Sequence, residues 1–136
     1  MTDFEHITTE STLAAYHAFC DVFAGLMSEM RELSKKKPDA TLSKSKVMLL
    51  NRVLEDILSI LKTEPEGKYL DLLNDEELPQ NSDAVLVMVQ YEKALIGFKN
   101  RYQQYYRGTH YWITEENIKA WKKKGGAPWE DSLELY

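Results

Sequence analysis

The sequence predicts an all-α fold, a small bundle of three to four main helices, two or three of them long, with a short connecting helix and a C-terminal tail. Three observations carry that prediction. Apolar residues recur at alternating steps of three and four over long stretches, the spacing of one helix face. All four prolines, Pro38, Pro65, Pro79 and Pro128, fall between those stretches and not inside them. No run of strand length alternates apolar and polar residues with period two, so no sheet, or a negligible one, is expected.

The first helix is predicted from Leu13, Tyr16, Cys20, Phe23, Met27 and Met30, with Thr8, Thr9 and Ser11 as cap candidates. A second row, Phe19, Val22, Leu26 and Leu33, widens the stripe, and such breadth predicts a face turned toward a globular core. Lys35 to Ala40 holds three lysines and Pro38, which ends the helix. The second helix follows cap candidates Thr41, Ser43 and Ser45. Val47, Leu50, Val53, Leu54, Ile57, Leu58 and Leu61 make it the clearest amphipath in the chain.

From Thr63 to Gln80 the pattern breaks around Pro65, Gly67 and Pro79, and a helix of one to two turns is predicted within a connection. Asn81, Ser82 and Asp83 form the next cap cluster. Ala84, Met88, Tyr91, Leu95, Phe98, Tyr102 and Tyr105 then predict a long third helix with Gly108 as its stop. A short fourth helix is marked at both ends by charges that complement its dipole: Glu115 and Glu116 follow Thr114, and Lys122 to Lys124 precede Gly125 and Gly126. Residues 127–136, with Pro128, Trp129, Leu133, Leu135 and Tyr136, are too apolar for a solubilising extension and read as a packing or docking tail.

At 136 residues, 43% hydrophobic and 29% charged, the chain is expected to form one domain, residues 1–136, with a core that needs no staple. A single cysteine, Cys20, points to a reducing compartment. The absence of any run of about 18 apolar residues, together with an N-terminus unlike a secretory signal, points to a cytoplasmic protein without a membrane partner.

For catalysis the residues offer little, and the expectation is a protein that is not an enzyme and has no catalytic residue, cofactor or metal. His6, His17 and His110 are dispersed and lack the Glu-x-x-His spacing of bundle metal sites. Cys20 sits in an apolar stripe, where burial disfavours the thiolate. Gly125-Gly126 has no following Lys-Ser/Thr signature that would cradle a phosphate.

The most distinctive segment runs from Arg101 to Trp112 and interleaves two arginines and His110 with Tyr102, Tyr105, Tyr106, Tyr111 and Trp112. Aromatic and arginine side chains are the residues that anchor protein interfaces, and also those that stack unpaired bases. Tyr102 and Tyr105 continue the third helix's core seam, so the expected partner-binding residues are Arg101, Tyr106, Arg107, Tyr111, Trp112 and Trp129. The function expected first is a non-enzymatic helical interaction module, a small subunit or adaptor that binds another protein chain or itself. The alternative is a small helical subunit that binds RNA or single-stranded DNA through the arginine-aromatic segment and two lysine clusters. Those clusters are Lys35, Lys36, Lys37, Lys44 and Lys46, and Lys122, Lys123 and Lys124. The net charge of −5 weighs against bulk attraction to phosphate, so local patches would have to carry such binding.

Overall fold

The stretch with the cleanest three-four spacing folds as its pattern dictates. Ser43 accepts a hydrogen bond from the Lys46 backbone N–H, and the helix it caps runs Lys44–Leu61 with Val47, Leu50, Leu54, Ile57 and Leu61 buried on one face. The structure is a computed structural model that describes residues 4–133. Among those residues the chain is a small, mostly helical bundle. Its elements are α1 (Glu10–Lys36), α2 (Lys44–Leu61), a 3-10 turn (Pro65–Tyr69), α3 (Asn81–Tyr102), a hairpin of β1 (Gln103–Tyr106) and β2 (Thr109–Trp112), α4 (Glu115–Lys123) and a 3-10 turn (Pro128–Leu133). No helix among the described residues is long and apolar enough to cross a membrane.

The chain divides into two compact units, one of Ala15–Gly97 and one of Met1–Ala14 with Phe98–Tyr136. In the first, Phe23, Met27 and Met30 of α1, Leu54, Ile57 and Leu61 of α2, and Met88, Tyr91 and Leu95 of α3 are buried. Polar clasps tie the loops to this core. Asn51 holds the Leu73 backbone in both directions, its amide donating to the carbonyl and its oxygen accepting from the N–H, each at 2.9 Å. The Tyr91 hydroxyl donates to the Asp71 carbonyl at 2.9 Å. The Asn81 N–H donates to the Ala40 carbonyl, while its side-chain amide donates to that of Lys37 instead of capping α3. Gly67 is required by close approach: a Cβ there would stand 2.5 Å from the Leu61 carbonyl oxygen.

The second unit is built around a polar seam. The Thr8 N–H donates to the Ile113 carbonyl, and the Glu115 N–H donates to the Thr8 carbonyl, each at 2.9 Å. Thr114, fully buried, caps α4 by accepting from the Asn117 N–H and donates its own hydroxyl proton to Glu10. Phe4, Trp121 and Trp129 pack edge to face or tilted, with centroids 5.4 to 6.1 Å apart. Ala127 is buried, so the beginning of the tail packs; Leu135 and Tyr136 lie outside the described residues.

Two expectations are corrected. The third helix stops at Tyr102, and the residues that seemed to prolong it form a hairpin, so Tyr105 is not a core residue but a strand residue that is 60% exposed. The reason lies at Arg107 and Gly108, whose φ angles of 48° and 82° are both positive. Two such residues between paired Tyr106 and Thr109 make the tight turn whose twist matches a β-hairpin, so Gly108 serves as a turn residue and not as a helix stop. Likewise the second row of α1 is not a core face along its length: Phe19 is buried, Leu26 and Leu33 are half-buried, and Val22 is 52% exposed.

Candidate interaction surface

The hairpin pairs Gln103 with Trp112, Gln104 with Tyr111, Tyr105 with His110 and Tyr106 with Thr109. Because directly opposed residues share a face of a sheet, Tyr105, His110 and Trp112 lie on one side, and Tyr106 and Tyr111 on the other. The two ends of the hairpin differ. At its base, Trp112 is half-buried against Phe98 with centroids 6.4 Å apart, Tyr111 packs edge-on against Trp129 at 6.1 Å, and the Asn117 amide donates to the Trp112 carbonyl. At its tip, the rings of Tyr105 and His110 meet at a tilt of 55° with centroids 5.0 Å apart, and the Arg107 guanidinium lies 5.2 Å from the centre of the Tyr106 ring.

The six expected contact residues therefore separate into two groups. Tyr106 and Arg107 sit at the tip, Arg107 exposed and Tyr106 half-buried. Tyr111, Trp112 and Trp129 anchor the base of the hairpin, each half-buried, and Arg101 is half-buried in the last turn of α3. Reasoning from sequence named Tyr105 and His110 in this segment but left both out of the contact set, Tyr105 as a core residue; their rings meet at the tip. The signal was present in two short aromatic runs on either side of a two-residue turn containing glycine. The continuing three-four spacing of tyrosines masked it.

The lysines separate by unit. In the unit of Ala15–Gly97, Lys35 and Lys36 end α1, and Lys44 and Lys46 open α2. Lys37 and Lys46 line one shallow hollow of about 230 Å³ together with Thr41, Ser43 and Asn81. In the other unit, Lys122 and Lys123 form the last turn of α4 and Lys124 its cap.

A second hollow, of about 290 Å³, belongs to the unit of Ala15–Gly97 alone. It is lined by Leu26, Glu29, Met30 and Leu33 of α1 and by Lys46, Leu49 and Leu50 of α2. Leu49 is 48% exposed there. The sequence pattern gave no warning of this surface, because Val22, Leu26 and Leu33 read as core and Leu49 fell outside the chosen face.

Among groups with chemical potential, burial pushes the Cys20 thiol up from its ordinary range, which keeps it protonated near neutral pH. Among the described residues, no three histidine, cysteine, aspartate or glutamate side chains gather as they would around a metal ion. Comparison with known proteins returns no match to a family, to a characterised protein or to a solved structure.

Proposed function

We propose that the chain is a non-enzymatic helical interaction module, a small subunit or adaptor, that engages a protein partner through the tip of its hairpin. One observation carries this reading: two pairs of rings and cations flank a tight turn, Tyr105 with His110 on one face of the hairpin and Tyr106 with Arg107 on the other, with Tyr105 60% exposed. Aromatic and arginine side chains dominate the binding energy of interfaces because each covers much area with few rotatable bonds to immobilise. A two-residue turn fixes where they stand, which lowers the ordering cost of binding.

The test compares affinity purification of the tagged chain with that of a Tyr105→Ala, Arg107→Ala double variant, at low and at high salt. The expected outcome is a stoichiometric protein that survives high salt and is lost from the variant, while circular dichroism of the variant matches the parent. Equal capture by both forms rejects the tip as the contact. Trp112→Ala is a poorer probe, because Trp112 packs on Phe98 and its removal would mix folding with binding.

The same tip supports a second reading, single-stranded nucleic acid, since the exposed rings of Tyr105 and His110 can stack on an unpaired base while Arg107, in the turn, can meet a phosphate. Phosphate contacts release counterions, so nucleic acid captured at low salt and lost steeply as salt rises would select that reading over the first.

A further inference from the structure

We infer that the exposed face of α2 pairs with the same face of a second copy of this chain, the two α2 helices running antiparallel about a two-fold axis. Lys46, Leu49, Val53 and Asp56 follow one another at steps of three, four and three, and so form one stripe of the helix. Lys46, Leu49 and Asp56 are exposed and Val53 is half-buried, so the stripe lies beside the buried face of Leu50, Leu54, Ile57 and Leu61 and is not part of it. From Lys46 to Asp56 it spans about 15 Å of helix.

The occupant is identified by the order of residues along the stripe. A two-fold axis crossing α2 at position 51 brings Lys46 opposite the partner copy's Asp56 and Leu49 opposite its Val53. Symmetry then repeats both pairings. The stripe is thus symmetric in its apolar residues and antisymmetric in its charges, as an isologous antiparallel contact requires. A parallel copy would instead set lysine on lysine and aspartate on aspartate, and like-charge contacts of this kind reject the wrong arrangement.

The walls of the hollow beside this stripe fit the same occupant. Leu26 and Leu33 of α1 and Leu49 of α2 leave an apolar depression open to solvent. Val22, at 52% exposed, lies one helical turn before Leu26 and extends the apolar surface along α1. Such a surface between two helices accepts a third by knobs-into-holes packing. The inference extends the interaction-module reading by naming a second copy of the chain as one partner. It uses no residue of the hairpin, so the two proposals fail separately.

Sedimentation of the purified chain from about 1 to about 500 µM decides the matter, together with four variants checked for unchanged helix content. A monomer–dimer equilibrium is expected, and Leu49→Glu, a change at an exposed position, should abolish it. Lys46→Glu and Asp56→Lys should each raise the dissociation constant about tenfold or more, since either sets like charges together twice. The chain carrying both exchanges should recover the parent's value, because it restores opposite charges at both contacts. A monomer across the whole range overturns the inference, even if the same face later proves to hold a helix of another protein. So does a dimer that is indifferent to Leu49→Glu, or one that the paired exchange fails to rescue.

Discussion

The two compact units bury their side chains in different ways. In Ala15–Gly97, Met27, Leu54, Ile57, Leu61, Met88 and Tyr91 are each no more than 1% exposed, and they come from three helices. In the other unit the described residues buried to that degree are Phe98 and Thr114, while Tyr102, Trp112, Trp121 and Trp129 are half-buried. Helices with an aliphatic seam can withdraw it from water completely, because each side chain is small enough to interdigitate with its neighbours. A short hairpin and a nine-residue helix cannot cover large rings, so they pack ring against ring and leave edges at the surface. The first unit thus rests on a dry aliphatic seam, and the second on rings whose edges remain at the surface.

The sharpest test of that difference is Leu54→Asp. Leu54 is 1% exposed, and the change removes a buried leucine and strands an unpaired charge in its place. A loss of about 4 kcal/mol or more is expected, enough to unfold a marginally stable domain at room temperature. Thermal melting monitored by helix content gives the answer, and a normal transition would remove Leu54 from the core.

How much of this was legible in the sequence follows from the same physics. α1, α2 and α4 were readable because their caps and apolar spacings agree: Ser43 and Thr114 do cap the helices they precede. The hairpin was not, because tyrosine serves both helix seams and strands and Tyr102 and Tyr105 kept the three-residue step. The positive φ at Arg107 and Gly108 decides the matter, and the sequence marks it only through Gly108, which serves a turn and a helix stop equally well. The candidate site was half legible. Arg107 and Tyr106 were singled out from composition, Tyr105 was placed in a helix seam where the chain forms a strand, and the exposed stripe of α2 was invisible because periodicity cannot say which of two adjacent apolar rows meets water.

In the second unit the corresponding weak point is polar. Thr114 is fully buried, accepts from the Asn117 N–H at 3.0 Å and donates to Glu10 at 3.0 Å. Thr114→Ala should cost about 1 to 2 kcal/mol, the ordinary cost of losing a helix cap. Amide hydrogen exchange is expected to accelerate first in the opening turn of α4, Glu115 to Asn117. Were exchange unchanged there, the polar seam would not be what holds this unit, and the aromatic packing of Phe4, Trp121 and Trp129 would have to do so.

The smallest effect probes the polar point within the aliphatic core. Burial, and secondarily the charge of Asp71, pushes the Tyr91 hydroxyl up from its ordinary 10.0 to about 12. The folded chain therefore holds this proton more tightly than the unfolded chain, so the hydroxyl's contribution is complete below pH 10 and is lost as pH rises toward 12. Burial also raises the Tyr16 hydroxyl, so two groups of this unit share the alkaline loss. Tyr91→Phe gives up the hydrogen bond to the Asp71 carbonyl, about 1 kcal/mol at neutral pH. In return the variant has one fewer proton to lose, so denaturant midpoints measured from pH 9 to 12 should fall less steeply than the parent's without becoming flat. Parallel curves for parent and variant would mean that Tyr91 is reached by water, and that the core of this unit is less dry than the comparison requires.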